Sequence, residues 1–595
     1  MANFAPTALQ SATIRIDAAA GGAVTFAASE LQRYLQRMTG VHVPIAHDGA
    51  PKTLVLGSAT TMPAALQGTQ SFVINPEPAG VTLRAGSSRA LLSAVYALLE
   101  RLGCRWSLHG LDEEIVPRLD ASVQLDRIEQ TPRFAVRGYA SDIMTWHYTQ
   151  PEHFHGRLDD DRSFIDWMGK SGANAFLYIR HPFDTQLTIP ELIPDFQRRG
   201  IDLEYGGHVI PLLLPRELYR EHPDYFPAAA DGARTDLGNL CTSNAAALTT
   251  ASANAVQYVR DYPEMRAVHI WGADLWHGGW CRCADCATLS VQDQSLRVCN
   301  SVAQGLDEAG VARPVCYLAY HDTIDAELSV HPDRNVVVEF APRERCYGHA
   351  INDAACTTNQ RYAAALQRYV ELFDGRVRIF EYYGDAILYF GCAVPISDVI
   401  AADMDYYARL GVPGITLLQF GSYSLWAYPL NILTFATASR QAGVAADARR
   451  GYCERFGSRA SAVADLFVAL EDVMRSVTTY GDIRRPPRQL DEARRLLPRV
   501  EGALPCLARI SECFSSFGDD TLLAQAALVR YTHGVLTGVR QHLHDTLAGH
   551  PRDAEARYTE ALQVIEAVDR RFKGLWGSVD LPIMHRLFAA AAHAE

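Results

Sequence analysis

The sequence predicts an α/β protein built on a (β/α)8 barrel, with a small α/β domain ahead of it and a helical domain after it. Three observations carry this. Eight short apolar and β-branched runs alternate with helical spacers between residues 130 and 430. Two amphipathic helical patterns, each ended by a Gly, lie among short strand-like runs before residue 128. Beyond residue 431 the strand signal disappears. The expected domains are therefore 1–128, 129–430 and 431–595.

In the first domain, Thr13 to Ile16, Thr53 to Leu56, Phe72 to Ile74 and Val81 to Arg84 read as strands. One helix places Ala27, Leu31, Tyr34, Leu35 and Met38 on one face and stops at Gly40. The other places Leu91, Val95, Leu98, Leu99 and Leu102 likewise and stops at Gly103. Two helices on one face of a small sheet is the expected result. No catalytic constellation stands out here.

The barrel strands are expected at Phe134 to Ala140, Ala175 to Ile179, Leu203 to Val209, Ala267 to Trp271, Val315 to Tyr320, Val336 to Phe340, Val377 to Tyr382 and Ile415 to Phe420. Helical spacers include Arg162 to Lys170, Val291 to Leu306, Asn359 to Phe373 and Val399 to Leu410. A doubly wound nucleotide-binding sheet is disfavoured, because neither Gly21-Gly22 nor Gly278-Gly279 belongs to a GxGxxG or GKT pattern. In the last domain Leu528, Tyr531 and Val535 mark one helix, and Leu562, Ile565, Val568 and Phe572 another. A packing role, or assembly of a homo-oligomer, is expected of it.

Composition narrows the class. The chain of 595 residues is too long for one core. A net charge of -13 without a basic run argues against nucleic acid as a partner. No apolar span suffices to cross a bilayer, so no membrane partner is expected. The first residues lack a basic and then apolar leader, which predicts a cytoplasmic protein. Thirteen cysteines do not suggest a disulfide framework.

Several stretches carry a family resemblance. AASELQRYLQRMTGVHVPI, then LLSAVYALLERLGCRWSLHG and EEIVP, resembles the accessory domain ahead of the barrel in alpha-glucuronidases and beta-hexosaminidases. EHPDYFPAAADG, NLCTSN, WCRCADC, RERCYGH with CTTNQRY, and GVPGITLLQFGSY resemble a bacterial domain-of-unknown-function family, numbered 4838. The resemblance implies an accessory α/β domain followed by a glycosidase-like barrel. Beta-hexosaminidases carry an adjacent Asp-Glu pair after the fourth strand, whereas here Asp274 is followed by Leu275. Alpha-glucuronidases spread an acid and candidate bases over several strand ends, which suits this chain better.

Barrel sites collect at the C-terminal ends of the strands. Those ends offer Asp142, Arg180 with His181, His208, Asp274, His321, Glu339 with Arg343, Glu381 with Asp385, and Gln419 with Tyr423. Asp274 is the candidate general acid, since Trp271, Trp276, His277 and Trp280 surround it in sequence and burial among indoles raises a carboxyl pKa. Glu381, on the seventh strand, is a candidate base across the mouth, and Glu339 on the sixth competes with it. The plainer reading gives Glu339 a salt bridge to Arg343 or Arg345, and makes Glu381 an inward residue satisfied by a Tyr. Trp146, Trp276, Tyr382, Tyr383, Tyr423 and Trp426 supply flat faces for sugar rings, although each is also ordinary core material. Arg180, His181, His208 and Arg343 suit a uronate or neutral hydroxyls.

Cys281, Cys283 and Cys286 form CxCxxC, and Cys241 is the expected fourth ligand of a structural zinc; reduced thiols or one disulfide are the alternatives. Cys346 and Cys356 form a second candidate pair. No cofactor is expected for catalysis. The function these residues suggest is an exo-acting glycoside hydrolase that releases a terminal sugar or uronic acid from a carbohydrate substrate. The alternatives are a carbohydrate-binding barrel without turnover, or a sugar-acid lyase or isomerase using His208 or His321 with Tyr382.

Overall fold

A computed structural model of the chain describes residues 2–17, 21–47, 54–57, 62, 64–78, 80–106, 114–141, 154–179, 189–275, 278–325, 327–385, 388–419, 427–477 and 486–549. The N-terminal unit holds β1 (Ala2–Phe4), β2 (Ile14–Arg15), β3 (Ile45–Ala46), β4 (Leu54–Gly57), β5 (Phe72–Glu77), β6 (Gly80–Ala85), β7 (Val123–Leu125) and β8 (Ile128–Gln130). Six of these form one sheet in the order β3-β2-β4-β6-β5-β8, and β1 pairs with β7. Helices α1 (Gly22–Thr39) and α2 (Ser88–Arg101) pack together and bury the apolar faces read from their spacing. Helix α1 ends where Gly40 turns left-handed at φ 75°, a conformation that costs a residue with a Cβ. Ser87 starts α2 by accepting the Ala90 N–H. This unit has its own core, from Phe4 to Leu125.

The barrel is closed and all parallel. Its strands are β9 (Val136–Ser141), β10 (Ala175–Ile179), β11 (Asp202–Gly207), β12 (Met265–Ile270), β13 (Val315–Ala319), β14 (Val336–Phe340), β15 (Val377–Gly384) and β16 (Gly414–Gln419), with β16 returning to β9. Between them lie α3 (Phe154–Ser171), α4 (Ile189–Arg199), α5 (Ile210–Leu213), α6 (Ala245–Asp261), α7 (Val291–Glu308), α8 (Thr357–Leu372) and α9 (Ser397–Arg409). Strands β11 and β12 approach closely at Gly206, where a Cβ would lie 2.1 Å from the His269 carbonyl oxygen.

Among the described residues five further helices follow: α10 (Pro429–Ala438), α11 (Ala445–Cys453), α12 (Ala460–Arg475), α13 (Leu490–Ser516) and α14 (Asp520–Leu547). The expected helix at Leu562 to Phe572 lies outside the described residues. One hydrophobic core runs from Phe134 in the barrel to Leu543 in α14. Helix α14 grips the chain after β15: the Tyr531 hydroxyl donates to the Phe390 carbonyl at 2.8 Å, and the Ala393 N–H donates to Thr532 at 2.8 Å. The helical segment therefore supports a loop at the barrel's C-terminal end. At the other junction Glu114 accepts from Tyr34 at 2.8 Å and pairs with Lys170 of α3. Among the described residues no helix is long and apolar enough to cross a membrane.

Candidate active site

Side chains alternate along β15, so its residues divide between the barrel interior and the helix layer. Arg378 points inward and grips Glu204 of β11 with both terminal nitrogens. Phe380 and Tyr382 share its parity, and their rings lie 5.4 Å apart. Glu381 has the opposite parity and faces α9. There it accepts from the Tyr407 hydroxyl and lies 3.3 Å from Arg345, with no exposure to solvent.

Glu381 is therefore not a base in the mouth. It is satisfied by a Tyr, as the plainer reading had it, but on the outer face of the strand. Burial outweighs Arg345 and pushes its carboxyl from 4.5 up to about 7. The folded state holds a proton that the unfolded chain releases, so this group's stabilisation is complete below pH 4.5 and is lost as pH rises through about 7. Glu381→Gln should flatten that part of the stability–pH profile, measured by denaturation at several pH values, and leave turnover within a few-fold of the parent. A loss of several orders of magnitude in turnover, with the fold intact, would return Glu381 to the chemistry.

Glu339 also leaves the list of bases. It lies inside the barrel, fully buried, with Arg378 Nε 2.7 Å away. The expected ion pair is present, but the partner is Arg378 rather than Arg343 or Arg345. His269 Nε2 meets Glu204 at 2.8 Å and completes the interior network. Burial acts to raise the Glu204 carboxyl, but Arg378 and His269 outweigh it and hold the group ionised. At Glu339 burial prevails and pushes the carboxyl up. Two residues further along the strands, Trp271 and Phe380 meet edge to face at 5.6 Å and roof this network over. Glu339 has no exposure to solvent beneath those rings.

The mouth itself holds His208, Asp274, Tyr320, His321, Arg343, Glu344, Tyr382 and Asp385. His208 follows β11, and its Nδ1 lies 2.6 Å from the Gly272 carbonyl, so Nδ1 carries the proton. Its Nε2 faces Asp274 at 3.9 Å. Asp274 is 46% exposed. Of its indole neighbours Trp271 and Trp280 are buried in the core, while Trp276 and His277 lie outside the described residues. Tyr320 stands 6.2 Å from His208 on one side and 6.5 Å from Tyr382, nearly parallel, on the other.

The last residues of the mouth come from RER, Arg343 to Arg345. Arg343 places Nε and Nη2 each 3.1 Å from Asp385 and lies over the Tyr382 ring. Glu344 pairs with His321 Nδ1 and accepts from Tyr362 at 3.3 Å. Arg345 turns away to Asp403. His321 itself adopts a left-handed φ of 47°, a strained backbone that aims its ring at Glu344. Glu344 and Tyr320 did not stand out in the sequence. Asp142, Trp146, Arg180, His181, Tyr423 and Trp426 lie outside the described residues, and Tyr383 faces α9, donating to Asp403 at 2.9 Å.

The four cysteines Cys241, Cys281, Cys283 and Cys286 come together, with all ligand atoms within 4.8 Å of one another. Cys346 lies near His349, its sulfur 3.3 Å from Nδ1, with Cys356 close by.

The closed eight-stranded parallel barrel behind a small α/β unit is a fold shared with solved glycoside hydrolases. A GH138 enzyme targeting pectin rhamnogalacturonan II is similar, with a TM-score of 0.58 at 10% identity, over 96% of this chain and 74% of that one. CpGH84B gives a TM-score of 0.50 at 12% identity, over 98% and 97%. The GH20 chitobiase of Flavobacterium johnsoniae gives 0.49 at 12% identity, over 98% and 97%. At these identities the likeness is one of fold. No curated protein matches the chain. The family described as "Domain of unknown function (DUF4838)" matches residues 110–424, more than half of the chain, and the chain belongs to it.

Proposed function

We propose that this protein is an exo-acting glycoside hydrolase that releases a terminal sugar or uronic acid, with Asp274 and Glu344 as its two working carboxyl groups. The observation that carries this reading is the arrangement at the mouth. An accessible carboxyl at the end of β12 and an ion-paired one beyond β14 flank the rings of His208, Tyr320 and Tyr382. Glycoside hydrolysis needs one carboxyl that gives a proton and one that stays ionised. Asp274 is the reachable one, and so the carboxyl placed to give a proton to a leaving group. Glu344 is held in place by His321, where a base or nucleophile is required. The tyrosine faces suit the C–H faces of a pyranose ring. Arg343 pairs with the buried Asp385, which offsets its charge beside the Tyr382 ring.

A screen of aryl glycosides and aryl uronides, read by released aglycone, tests the reading. Glu344→Gln should lower turnover by at least about a hundredfold on good and poor leaving groups alike, in keeping with loss of the base or nucleophile. Saturable sugar binding without turnover of any substrate would mark a binding barrel instead. An ultraviolet-absorbing unsaturated product would mark a lyase.

A further inference from the structure

The four-cysteine cluster lies outside the chemistry just described. Cys241 belongs to the chain between β11 and α6, and Cys281, Cys283 and Cys286 belong to the chain between β12 and α7. Cys241 Sγ stands 3.8 Å from Cys283 Sγ and 3.8 Å from Cys286 Sγ. At that spacing neither pair is a disulfide, whose sulfurs sit about 2.05 Å apart. The spacing matches the edge of a sulfur tetrahedron: four sulfurs about 2.3 Å from a central zinc lie about 3.8 Å from one another.

The surroundings suit thiolates. Ala228, Cys241, Cys281 and Cys286 form a small buried cluster of their own, apart from both main cores, with Cys283 packed against it. Four uncharged thiols there would supply little cohesion. Donors nevertheless converge on the sulfurs. The Ala228 N–H donates to Cys281 at 3.3 Å, and the Ser243 hydroxyl lies 3.1 Å from Cys286. The Arg234 guanidinium reaches Cys241. Such donors offset the negative charge that four thiolates keep around a divalent ion.

We propose that Cys241, Cys281, Cys283 and Cys286 bind one structural zinc ion that fixes the turn carrying Asp274. Four sulfur ligands leave no open position for water, so the site organises the chain and takes no part in the reaction. Its link to Asp274 is short. Asn239, fully buried and two residues before Cys241, accepts the Ala273 N–H at 2.7 Å on its side-chain oxygen. Its backbone N–H donates to the Gly279 carbonyl at 3.1 Å, and its side-chain amide donates to the Gly278 carbonyl. Trp280 precedes Cys281 directly. The metal thus joins the two segments that hold both ends of the Asp274 turn.

Metal analysis of tag-free protein, purified under reducing conditions without chelator, should find about one zinc per chain. Cobalt exchanged into the site should show sulfur-to-metal charge transfer and the visible bands of a tetrahedral ion. Cys241→Ser should lower bound zinc at least about tenfold and reduce the melting temperature, whereas Cys513→Ser, at an exposed cysteine on α13, should do neither. Should Cys241→Ser fail to fold, the zinc content and cobalt spectrum of the parent still decide. Zinc below about one tenth of an equivalent, with all four cysteines titrating as free thiols in the folded protein, would overturn the proposal. So would a disulfide among them. That the metal supports turnover rests on the glycosidase reading, but these readouts hold whether or not the protein cleaves a glycoside.

Discussion

Asp274→Asn should lower turnover of substrates with poor leaving groups by roughly two to four orders of magnitude, in keeping with loss of a general acid. Asn keeps the shape and the approach to His208 but has no transferable proton. A glycoside whose aglycone leaves as a stable anion needs little protonation, so its loss should be far smaller. The ratio of the two losses, taken from kcat/KM on a matched pair of aryl glycosides, identifies the role. A large loss on both substrates would make Asp274 the nucleophile or base and pass the acid role to Glu344. Small, equal losses would make Asp274 a surface loop residue, and its 46% exposure would then need no further account. His208 offers a control. Because its Nδ1 is tied to Gly272, His208→Ala removes the one ring nitrogen that faces Asp274, and should lower turnover far less than Asp274→Asn does.

The barrel was legible because its eight strands are short apolar runs broken by helical periods, and each run fell within two or three residues of its place. Parity within the strands was not legible. In a parallel barrel both faces of a strand are buried, so β15 reads VRIFEYYG with apolar residues at either phase. Nothing local says that Arg378 points inward and Glu381 outward. Only the distant Glu204 and the helical Asp403 and Tyr407 decide it. A strand-end carboxylate is therefore a mouth residue only if its phase is right, and Glu381 has the wrong one. Glu339 fails for a different reason: its phase is inward, but Trp271 and Phe380 close the barrel above it.

Glu344 was missed because it lies four residues beyond β14, in a loop whose course the sequence does not reveal. The signal that was available is the density of charge in RER itself. Three adjacent charged residues serve three different partners: Arg343 holds Asp385, Glu344 holds His321, and Arg345 holds Asp403 with Glu381. The cysteines were easier to read, because CxCxxC is a local pattern with a chemical meaning, and Cys241 added one non-local guess to it. Local patterns survive the step to three dimensions better than any inference about facing.

Arg345→Met should destabilise the protein by on the order of 3–5 kcal/mol, the usual result of breaking a buried ion pair from one side. Arg345 is fully buried, with Asp403 and Glu381 in contact and the rings of Tyr347 and Tyr383 against its guanidinium plane. Met fills a similar volume but leaves Asp403 as an uncompensated charge between β15 and α9. The Ile351 N–H and the Tyr383 hydroxyl still donate to it, which limits the loss without cancelling it. The signature is the pH dependence. Without the cation, burial raises both carboxyls in the folded state, so the deficit should shrink as pH falls and they protonate, and grow toward neutrality. Adding Asp403→Asn to Arg345→Met should recover part of the loss at pH 7. Chemical denaturation followed by circular dichroism, at acid and neutral pH, measures all three proteins. Turnover should fall with Arg345→Met as well, since the adjacent Glu344 is carried on the loop that Arg345 pins. A deficit below about 1 kcal/mol that does not change with pH would mean that water reaches this pocket and that the pair behaves as a surface one.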